Sequence, residues 1–124
     1  MKLSVEQINE LITGCKLAVE LKPTEPGLRH FMTVWGYEIS AEGRFKELSR
    51  TICSKKMKNT YFQIRDYEIP KEYYYNGLEI SDLILKNDRI TNGIVGIFNL
   101  EKELDHYFSD PELLMPEWRC DNLI

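Results

Sequence analysis

The amino-acid sequence predicts an α+β fold in which N-terminal helices pack on a mainly antiparallel, twisted sheet, with a further helix near the C-terminus. Three observations predict this class: an apolar pattern with helical spacing near the start, several β-rich runs bounded by turn signals, and a second helical pattern near the end. The length of 124 residues suits one ordinary domain, and 43% hydrophobic with 29% charged residues is typical of a globular chain. We therefore expect residues 1–124 to form a single globular domain.

The first element is a helix that is predicted to span about residues 5–21. Ser4 and Gln7 have the spacing of a capping box, and apolar residues then recur at helical intervals. Pro23 and Pro26 end the helix, because the residue before a proline is pushed out of helical backbone space.

Residues 28–39 leave two interpretations open. Their β-branched and aromatic content favours a strand, whereas Leu28, Phe31, Met32 and Trp35 also fit a helical stripe. The strand is the preferred interpretation.

A second helix is predicted to begin after Ser40, which can cap it. Phe45, Leu48 and Ile52 would then lie on one face of that helix. Its pattern weakens after Cys53.

The run TYFQIRDYEI, residues 60–69, is predicted to be a strand that Pro70 ends. Phe62 and Ile64 fall on one face, but the apolar residues after Asp66 fall on the other. This change of face predicts a bulge or sharp twist near Asp66.

Three consecutive tyrosines precede Asn76-Gly77 in the stretch EYYYNGLEI. A two-residue type I′ turn at Asn76-Gly77 places Tyr73 and Tyr75 on the buried face of a hairpin. Tyr74 then lies on the opposite face, so it is the one tyrosine of the three with a candidate role in recognition.

Two more turn signals, Asn87-Asp88 and Asn92-Gly93, lie too close together for both to close long hairpins. We predict a hairpin turn at the first and a bulge at Gly93, followed by a central strand covered on both faces. Asn99 is predicted to cap a last helix, and Asp110-Pro111 to start a short helical turn.

The formal net charge of −4 favours solubility and basic partners over nucleic acid or an anionic membrane. No apolar run approaches the roughly 20 residues that span a bilayer, and MKLSVEQINE lacks an apolar signal core, so we expect a cytoplasmic protein without a membrane partner. Cys15, Cys53 and Cys120 match neither a disulfide framework nor a CxxC pair and are interpreted as reduced thiols.

Motifs for familiar chemistry are missing from the sequence: it contains no HExxH, P-loop, GxSxG or GxGxxG pattern. His30 and His106 are the only histidines, and nothing in their neighbourhoods links them. We therefore expect a non-catalytic protein without metal or cofactor. A small enzyme whose site these patterns do not capture stays a third possibility.

Charge is distributed unevenly along the chain. Residues 44–58 hold six basic groups against one Glu, a local +5, whereas residues 99–124 hold seven carboxylates against two basic groups, a local −5. The two segments either neutralise each other across a solvated surface or present one pole to a partner. That partner would be nucleic acid for the basic pole and a basic protein for the acidic pole.

The stretch WGYEISAEGRFKELSR, residues 35–50, resembles the short motif found beside HNH homing endonuclease domains, in which a Tyr-x-(Val/Ile)-Ser strand precedes Gly-Arg and a basic segment. The matching residues are Tyr37, Ile39, Ser40, Gly43 and Arg44. Ala41 stands where that motif usually has Asn, and no histidine-rich nuclease site follows. The resemblance implies the alternative function, a nucleic-acid-associated or phage-derived protein that uses residues 44–58.

In size, acidic charge and lack of a catalytic motif, the chain resembles the small immunity proteins that neutralise basic nuclease toxins, such as those of contact-dependent growth inhibition systems. The resemblance implies an inhibitory protein whose acidic surface engages a basic toxin domain. We assign to that surface the residues Glu101, Asp105, Asp110, Glu112, Trp118 and Tyr74. The carboxylates are expected to steer encounter with the partner, and the aromatic rings to anchor it.

Overall fold

A computed structural model describes residues 1–39, 45–47, 60–71 and 86–120. The predicted hairpin around Asn76-Gly77, with Tyr74, lies outside these residues. The described elements are helices α1 (Val5–Ile12) and α2 (Gly96–Leu104) and strands β1 (Leu17–Leu21), β2 (Leu28–Ile39), β3 (Phe45–Glu47), β4 (Thr60–Pro70), β5 (Lys86–Val95) and β6 (Met115–Pro116). Short 3₁₀ turns cover Pro111–Leu113 and Glu117–Arg119. The α+β class is confirmed.

The strands form an antiparallel sheet in the order β5-β4-β2-β1-β6, and β3 pairs with the C-terminal end of β2. The long strands β2 and β4 make up its centre, with an unbroken register from Leu28 opposite Pro70 to Glu38 opposite Thr60. The strand interpretation of residues 28–39 is therefore confirmed, and β4 ends at Pro70 as predicted.

The main core lies on the sheet face that carries Val34 and Ile64, and both helices pack on it. Leu11 of α1 and Leu100 and Leu104 of α2 are fully buried in this core. Complete burial of one such side chain contributes about 1.5–3 kcal/mol. The amphipathic faces of the two helices therefore hold them against this face of the sheet.

The opposite face of the sheet is buried as well, which explains the change of face along β4. Phe31, Tyr67 and Ile69 are fully buried there, while Phe62 and Ile64 are buried on the main-core face. The register between β2 and β4 does not shift, so the apolar residues change face because both faces are buried. The irregularity near Asp66 occurs in the pairing of β4 with β5.

The first helix is much shorter than predicted. It ends at Ile12, and Gly14 follows with φ +92°, a left-handed conformation that suits glycine and stops a helix. Residues 17–21 form β1 instead, because Leu17, Ala18 and Val19 are buried in the sheet beside β2. In the sequence, the apolar residues keep their helical spacing past Thr13-Gly14. Gly14 was the signal that the helix ends there.

The helix predicted after Ser40 is also corrected, because Phe45–Glu47 is strand β3, paired with the last residues of β2. The rest of that predicted helix lies outside the described residues. Sheet pairing here overrides a local helical spacing, as tertiary context routinely does. One N-terminal helix, α1, is therefore described.

Strand β5 runs through both turn signals without turning. Its pairing with β4 shifts once near Asn87 and once near Gly93, and each shift places one extra residue on β5. Asn87 has φ +52° and Gly93 has φ +72°. The bulge at Gly93 is confirmed, and the hairpin turn at Asn87-Asp88 is wrong because the left-handed Asn87 makes a second bulge.

The interpretation of β5 as a covered central strand is wrong, since β5 lies at one end of the described sheet and most of its residues are exposed. Helix α2 follows directly and begins at Gly96, with Val95 as the N-cap residue. Asn99 is inside the helix rather than at its cap, and its Nδ2 donates to the Val95 carbonyl at 2.8 Å. The helical turn after Asp110 is confirmed.

Candidate functional site

The acidic C-terminal segment is held against the N-terminus of the chain. The backbone N–H of Leu3 donates to Oε2 of Glu101 at 2.7 Å, and the amino group of Met1 lies 2.6 Å from Oδ1 of Asp105. Two of the predicted partner-binding carboxylates therefore have partners within the chain. Their first role is to fasten residues 1–3 to α2.

Gln7 fixes α1 to the segment that follows α2. Its Nε2 donates to the carbonyls of Pro111 and Leu114, at 2.7 and 2.9 Å, and its Oε1 accepts from the N–H of Ser4 at 2.9 Å. The capping box that was visible in the sequence thus also docks the helix. It places residues 110–119 beside α1 without requiring a long apolar contact.

A depression of about 640 Å³ lies between α1 and this segment. Glu6 and Glu10 line it from α1, and Glu112 and Trp118 line it from the opposite side. Lys2 and Arg119 also border it, so its charge is mixed with a small acidic excess. We call this depression the α1 groove.

Trp118 is the most exposed large hydrophobic side chain of the described residues, at 78% of its free accessibility. It belongs to the 3₁₀ turn Glu117–Arg119, and the N–H of Glu117 donates to the carbonyl of Lys16 at 3.0 Å. The guanidinium of Arg119 lies 4.9 Å from the centroid of the Trp118 ring. An exposed indole on an anchored backbone is suited to act as a binding anchor.

Trp118 also lines a second depression, of about 590 Å³, which we call the Glu117 pocket. Its lining residues are Glu10, Gly14, Cys15, Lys16, Pro116, Glu117, Trp118 and Cys120. Oε2 of Glu117 is buried and has no hydrogen-bond partner among the described residues. Buried polar atoms are nearly always paired, so this oxygen needs an explanation.

The predicted site residues therefore separate into groups. Glu112 and Trp118 share the α1 groove, whereas Glu101 and Asp105 bind residues 1–3. Asp110 accepts a hydrogen bond from the N–H of Glu112 at 3.0 Å and so caps the short turn. The placement of Tyr74 is outside the described residues.

Sequence reasoning missed Glu6, Glu10 and Glu117, which line the two depressions. The spacing of Glu6 and Glu10, four residues apart, puts both on one side of a helix and was a usable signal. Glu117 stands next to the tryptophan, but no sequence pattern shows that one of its oxygens lacks a partner.

A second group of polar residues centres on His30 and Asp66, which are buried in the sheet, and includes the exposed Arg89. Nε2 of His30 lies 3.0 Å from Oδ2 of Asp66, and its Nδ1 lies 3.3 Å from the carbonyl of Lys22. Arg89 donates to the same Asp66 oxygen at 2.8 Å. Because both ring nitrogens of His30 face acceptors within the chain, neither is placed to exchange a proton with a bound molecule. The geometry of this group therefore indicates a structural role.

Glu68 lies next to this group and is 1% exposed. It accepts hydrogen bonds from the N–H of Thr24 at 2.9 Å and from Nδ2 of Asn87 at 2.7 Å. Burial by itself raises the pKa of Glu68, but these hydrogen bonds and the nearby charge of His30 outweigh it, so the pKa is lowered. The carboxylate consequently stays ionised while fastening residue 24 and β5 to β4.

The sheet face opposite the main core carries a stack of aromatic rings. The rings of Trp35 and Tyr37 lie 5.3 Å apart, and those of Tyr37 and Tyr61 lie 5.8 Å apart. The Tyr37 hydroxyl donates to Oδ1 of Asn92 at 2.6 Å and accepts from the N–H of Gly93 at 3.1 Å. In the backbone register, Tyr37 pairs with Glu47 of β3, which belongs to the basic stretch of residues 44–58.

The described part of the chain holds no group of three or more His, Cys, Asp and Glu side chains arranged to bind a metal ion. None of its helices is long and apolar enough to pass through a bilayer. His106 is exposed near Asn99 and Glu103 and lies apart from the buried His30.

Comparisons with protein-family models, with curated proteins and with solved structures gave no match for this chain. Support for a function therefore comes from the chain's own surface, where Trp118 stands between the α1 groove and the Glu117 pocket.

Proposed function

We propose that this protein is a non-catalytic inhibitory binding protein of the immunity type, which neutralises a basic, nuclease-type toxin domain. The observation that carries the proposal is the exposure of Trp118 between two depressions that glutamates line. Tryptophan is enriched among the residues that dominate binding energy, and a well-supported indole loses little conformational freedom on binding.

The charges around Trp118 indicate the kind of partner. Four glutamates (Glu6, Glu10, Glu112 and Glu117) and three basic residues (Lys2, Lys16 and Arg119) line the two depressions, which leaves a small acidic excess around Trp118 among the described residues. Carboxylates around an aromatic anchor match lysine and arginine on a partner and raise the rate of encounter. A nuclease carries such basic residues because it must bind phosphate.

A non-catalytic role agrees with the geometry of the buried polar group. Within the described residues, His30 and Asp66 form a histidine–carboxylate pair of the kind that can share general acid and base roles, but they bind each other within the sheet. Asp66 is only 1% exposed. A substrate would have to open the sheet to reach this pair.

Co-expression with a toxin domain tests the proposal. The probe is the C-terminal domain of the protein encoded directly upstream, with growth rescue and surface plasmon resonance as readouts. We expect the wild type to rescue growth, and Trp118→Ala to weaken binding at least tenfold. Phe98→Ala is the matched control, because Phe98 is 72% exposed but lies on α2 and lines neither depression. Equal losses for both variants, or rescue without binding, would contradict the assignment of the site.

A second candidate function is binding of single-stranded nucleic acid, which the aromatic stack favours. Tyr37 is buried, but Trp35 and Tyr61, which stack on it, are only half-buried. Bases stack on exposed sheet aromatics of this kind in several nucleic-acid-binding folds. Two arginines on this face are already paired, Arg29 with Glu20 and Arg65 with Asp88. Residues 44–58 would therefore have to supply the phosphate contacts.

Filter binding at low salt, with single-stranded DNA, RNA and duplex DNA, tests this second function. We expect no saturable complex at micromolar concentration. A complex that is abolished by Lys55→Glu with Lys56→Glu, and that weakens with added salt, would favour nucleic acid over the toxin domain.

A further inference from the structure

We propose that the Glu117 pocket is a receptor for one arginine side chain of the partner, with Glu117 as its counter-charge. The inference rests on the proposed function, because it names the group that the toxin domain would insert beside Trp118. It assigns to Glu117 a role that the sequence did not indicate.

The carboxylate of Glu117 has an oxygen that could pair with a cation. Its Oε2 is buried and unpaired among the described residues, although Glu117 borders an open pocket. An unpaired buried carboxylate oxygen is costly, and such groups are few in native proteins. Glu117 itself is only half-buried, so rotation of its side chain would bring this oxygen to a donor that a partner inserts into the pocket, and the pairing would remove this cost.

The charges that line the pocket also favour a cation. Glu10 and Glu117 line it together with one basic residue, Lys16. Lys16 forms no ion pair with Glu117 within the described structure, and the two are linked through the backbone, where the Lys16 carbonyl accepts from the N–H of Glu117. Among the described residues, the lining of the pocket thus carries one more carboxylate than basic group.

The neighbouring indole of Trp118 favours arginine over lysine as that cation. The Trp118 ring already has the guanidinium of Arg119 at 4.9 Å, which shows that a planar cation packs against this indole. A guanidinium also forms two parallel hydrogen bonds to one carboxylate, whereas an ammonium group acts as a point charge. Trp118 and Glu117 thus offer the two contacts that an arginine side chain combines.

The first test is the stability of Glu117→Gln, a substitution that keeps the shape of the side chain. If Glu117 is kept for binding, urea unfolding should show a midpoint equal to or above that of the wild type, because an unpaired buried charge is removed. A lowered midpoint would show that the carboxylate stabilises the fold and would overturn the proposal.

The second test is a titration of the full chain with N-acetyl-L-arginine methylamide, followed through the indole N–H resonance of Trp118 in NMR spectra. Trp118→Phe assigns that resonance against Trp35, the other tryptophan. The corresponding citrulline compound is the control ligand, because it keeps the shape but has no charge. We expect a saturable shift with the arginine compound that is at least tenfold weaker in Glu117→Gln and unchanged in Glu103→Gln on α2. Equal shifts from the citrulline compound, or an undiminished response in Glu117→Gln, would overturn the receptor.

Binding to the toxin domain separates this inference from the proposed function. We expect Glu117→Gln to weaken that complex at least tenfold. If Glu117→Gln binds like the wild type while Trp118→Ala does not, the arginine receptor is wrong and the binding function stands. If no toxin domain binds at all, the proposed function fails, and the arginine titration still decides whether the receptor exists.

Discussion

Asp66 joins three strands of the sheet through one carboxylate oxygen. Its Oδ2 lies 3.0 Å from Nε2 of His30 on β2 and 2.8 Å from a guanidinium nitrogen of Arg89 on β5, while Asp66 itself belongs to β4. His30 and Asp66 are diagonal neighbours in the register, since Asp66 is opposite Met32. Buried charges are tolerated when they are paired and hydrogen-bonded, and the two partners of Asp66 link β4 to both of its neighbours, β2 and β5.

Removal of the histidine should therefore be costly. In His30→Ala, Asp66 stays buried and keeps only Arg89, so we expect the free energy of unfolding to fall by about 2–4 kcal/mol. Urea unfolding measures the change. Glu20→Gln is the comparison, because it breaks the more exposed pair with Arg29 and should cost about 1 kcal/mol or less. Equal losses of unfolding free energy in the two variants would show that the buried pair contributes no more than the more exposed one.

Acid should weaken the fold through Glu68. The pKa of Glu68 is lower in the folded protein than its ordinary value, so its stabilising contribution is complete above the unfolded pKa of about 4.3. That contribution is lost as the pH falls through the lower folded pKa. Glu68→Gln should flatten the decline of the urea midpoint between about pH 5 and pH 2. The pKa of Asp88 is also lowered, by its hydrogen bond to Arg65. If the urea midpoint of Glu68→Gln falls with acid as in the wild type, and that of Asp88→Asn falls less, the effect belongs to Asp88.

The bulge at Gly93 should depend on backbone conformation alone. Gly93 has φ +72°, and a Cβ atom there would meet nothing within 4 Å. Gly93→Ala should therefore cost about 1 kcal/mol through strain, and Gly93→Asn clearly less, because asparagine tolerates the left-handed region. Urea midpoints of the two variants give the order. A larger cost for asparagine would mean that space, rather than backbone conformation, limits this position.

The sequence was informative where a local signal coincided with the tertiary structure. The capping box of Ser4 and Gln7 predicted the start of α1, Pro70 predicted the end of β4, and Asp110 predicted the short turn. In each case neighbouring residues fix the backbone conformation, so no distant contact is needed.

Predictions failed where long-range pairing decided the conformation. Residues 17–19 continue the helical spacing of α1, but they form β1 because strand β2 supplies their partners, Val34 to Met32, which lie at least thirteen residues later. The same reason applies to Phe45–Glu47, which β2 pairs into a strand. Asn87 and Gly93 were visible as residues for left-handed backbone, yet a bulge and a turn require the same residue types.

The candidate site was predictable only in part, because its residues come from both ends of the chain. Trp118 and Glu112 could be selected from the acidic, aromatic C-terminal segment, but Glu6 and Glu10 reach the groove only after Gln7 has docked α1. Charge counts along the sequence also cannot separate a carboxylate that binds its own chain, such as Glu101, from one that faces solvent.

The five described residues assigned to the partner surface should therefore differ in what their substitution does to stability. Glu101 accepts the N–H of Leu3, so Glu101→Ala should lower the free energy of unfolding by about 1–3 kcal/mol and leave that N–H without its acceptor. Glu112 and Trp118 are exposed, so Glu112→Gln and Trp118→Ala should leave the urea midpoint nearly unchanged.

Their effects on binding should differ in kind. Glu112→Gln should mainly reduce the association rate with the toxin domain and its dependence on salt, because an exposed charge acts on encounter. Trp118→Ala should mainly raise the dissociation rate, and could cost about 2 kcal/mol or more in affinity, because the indole contact forms only in the docked complex. Surface plasmon resonance at two salt concentrations separates the rates. If both variants change only the association rate, Trp118 is not a desolvated anchor; if a folded variant that lacks all five side chains, including those of Asp105 and Asp110, still rescues growth, the interface lies elsewhere on the molecule.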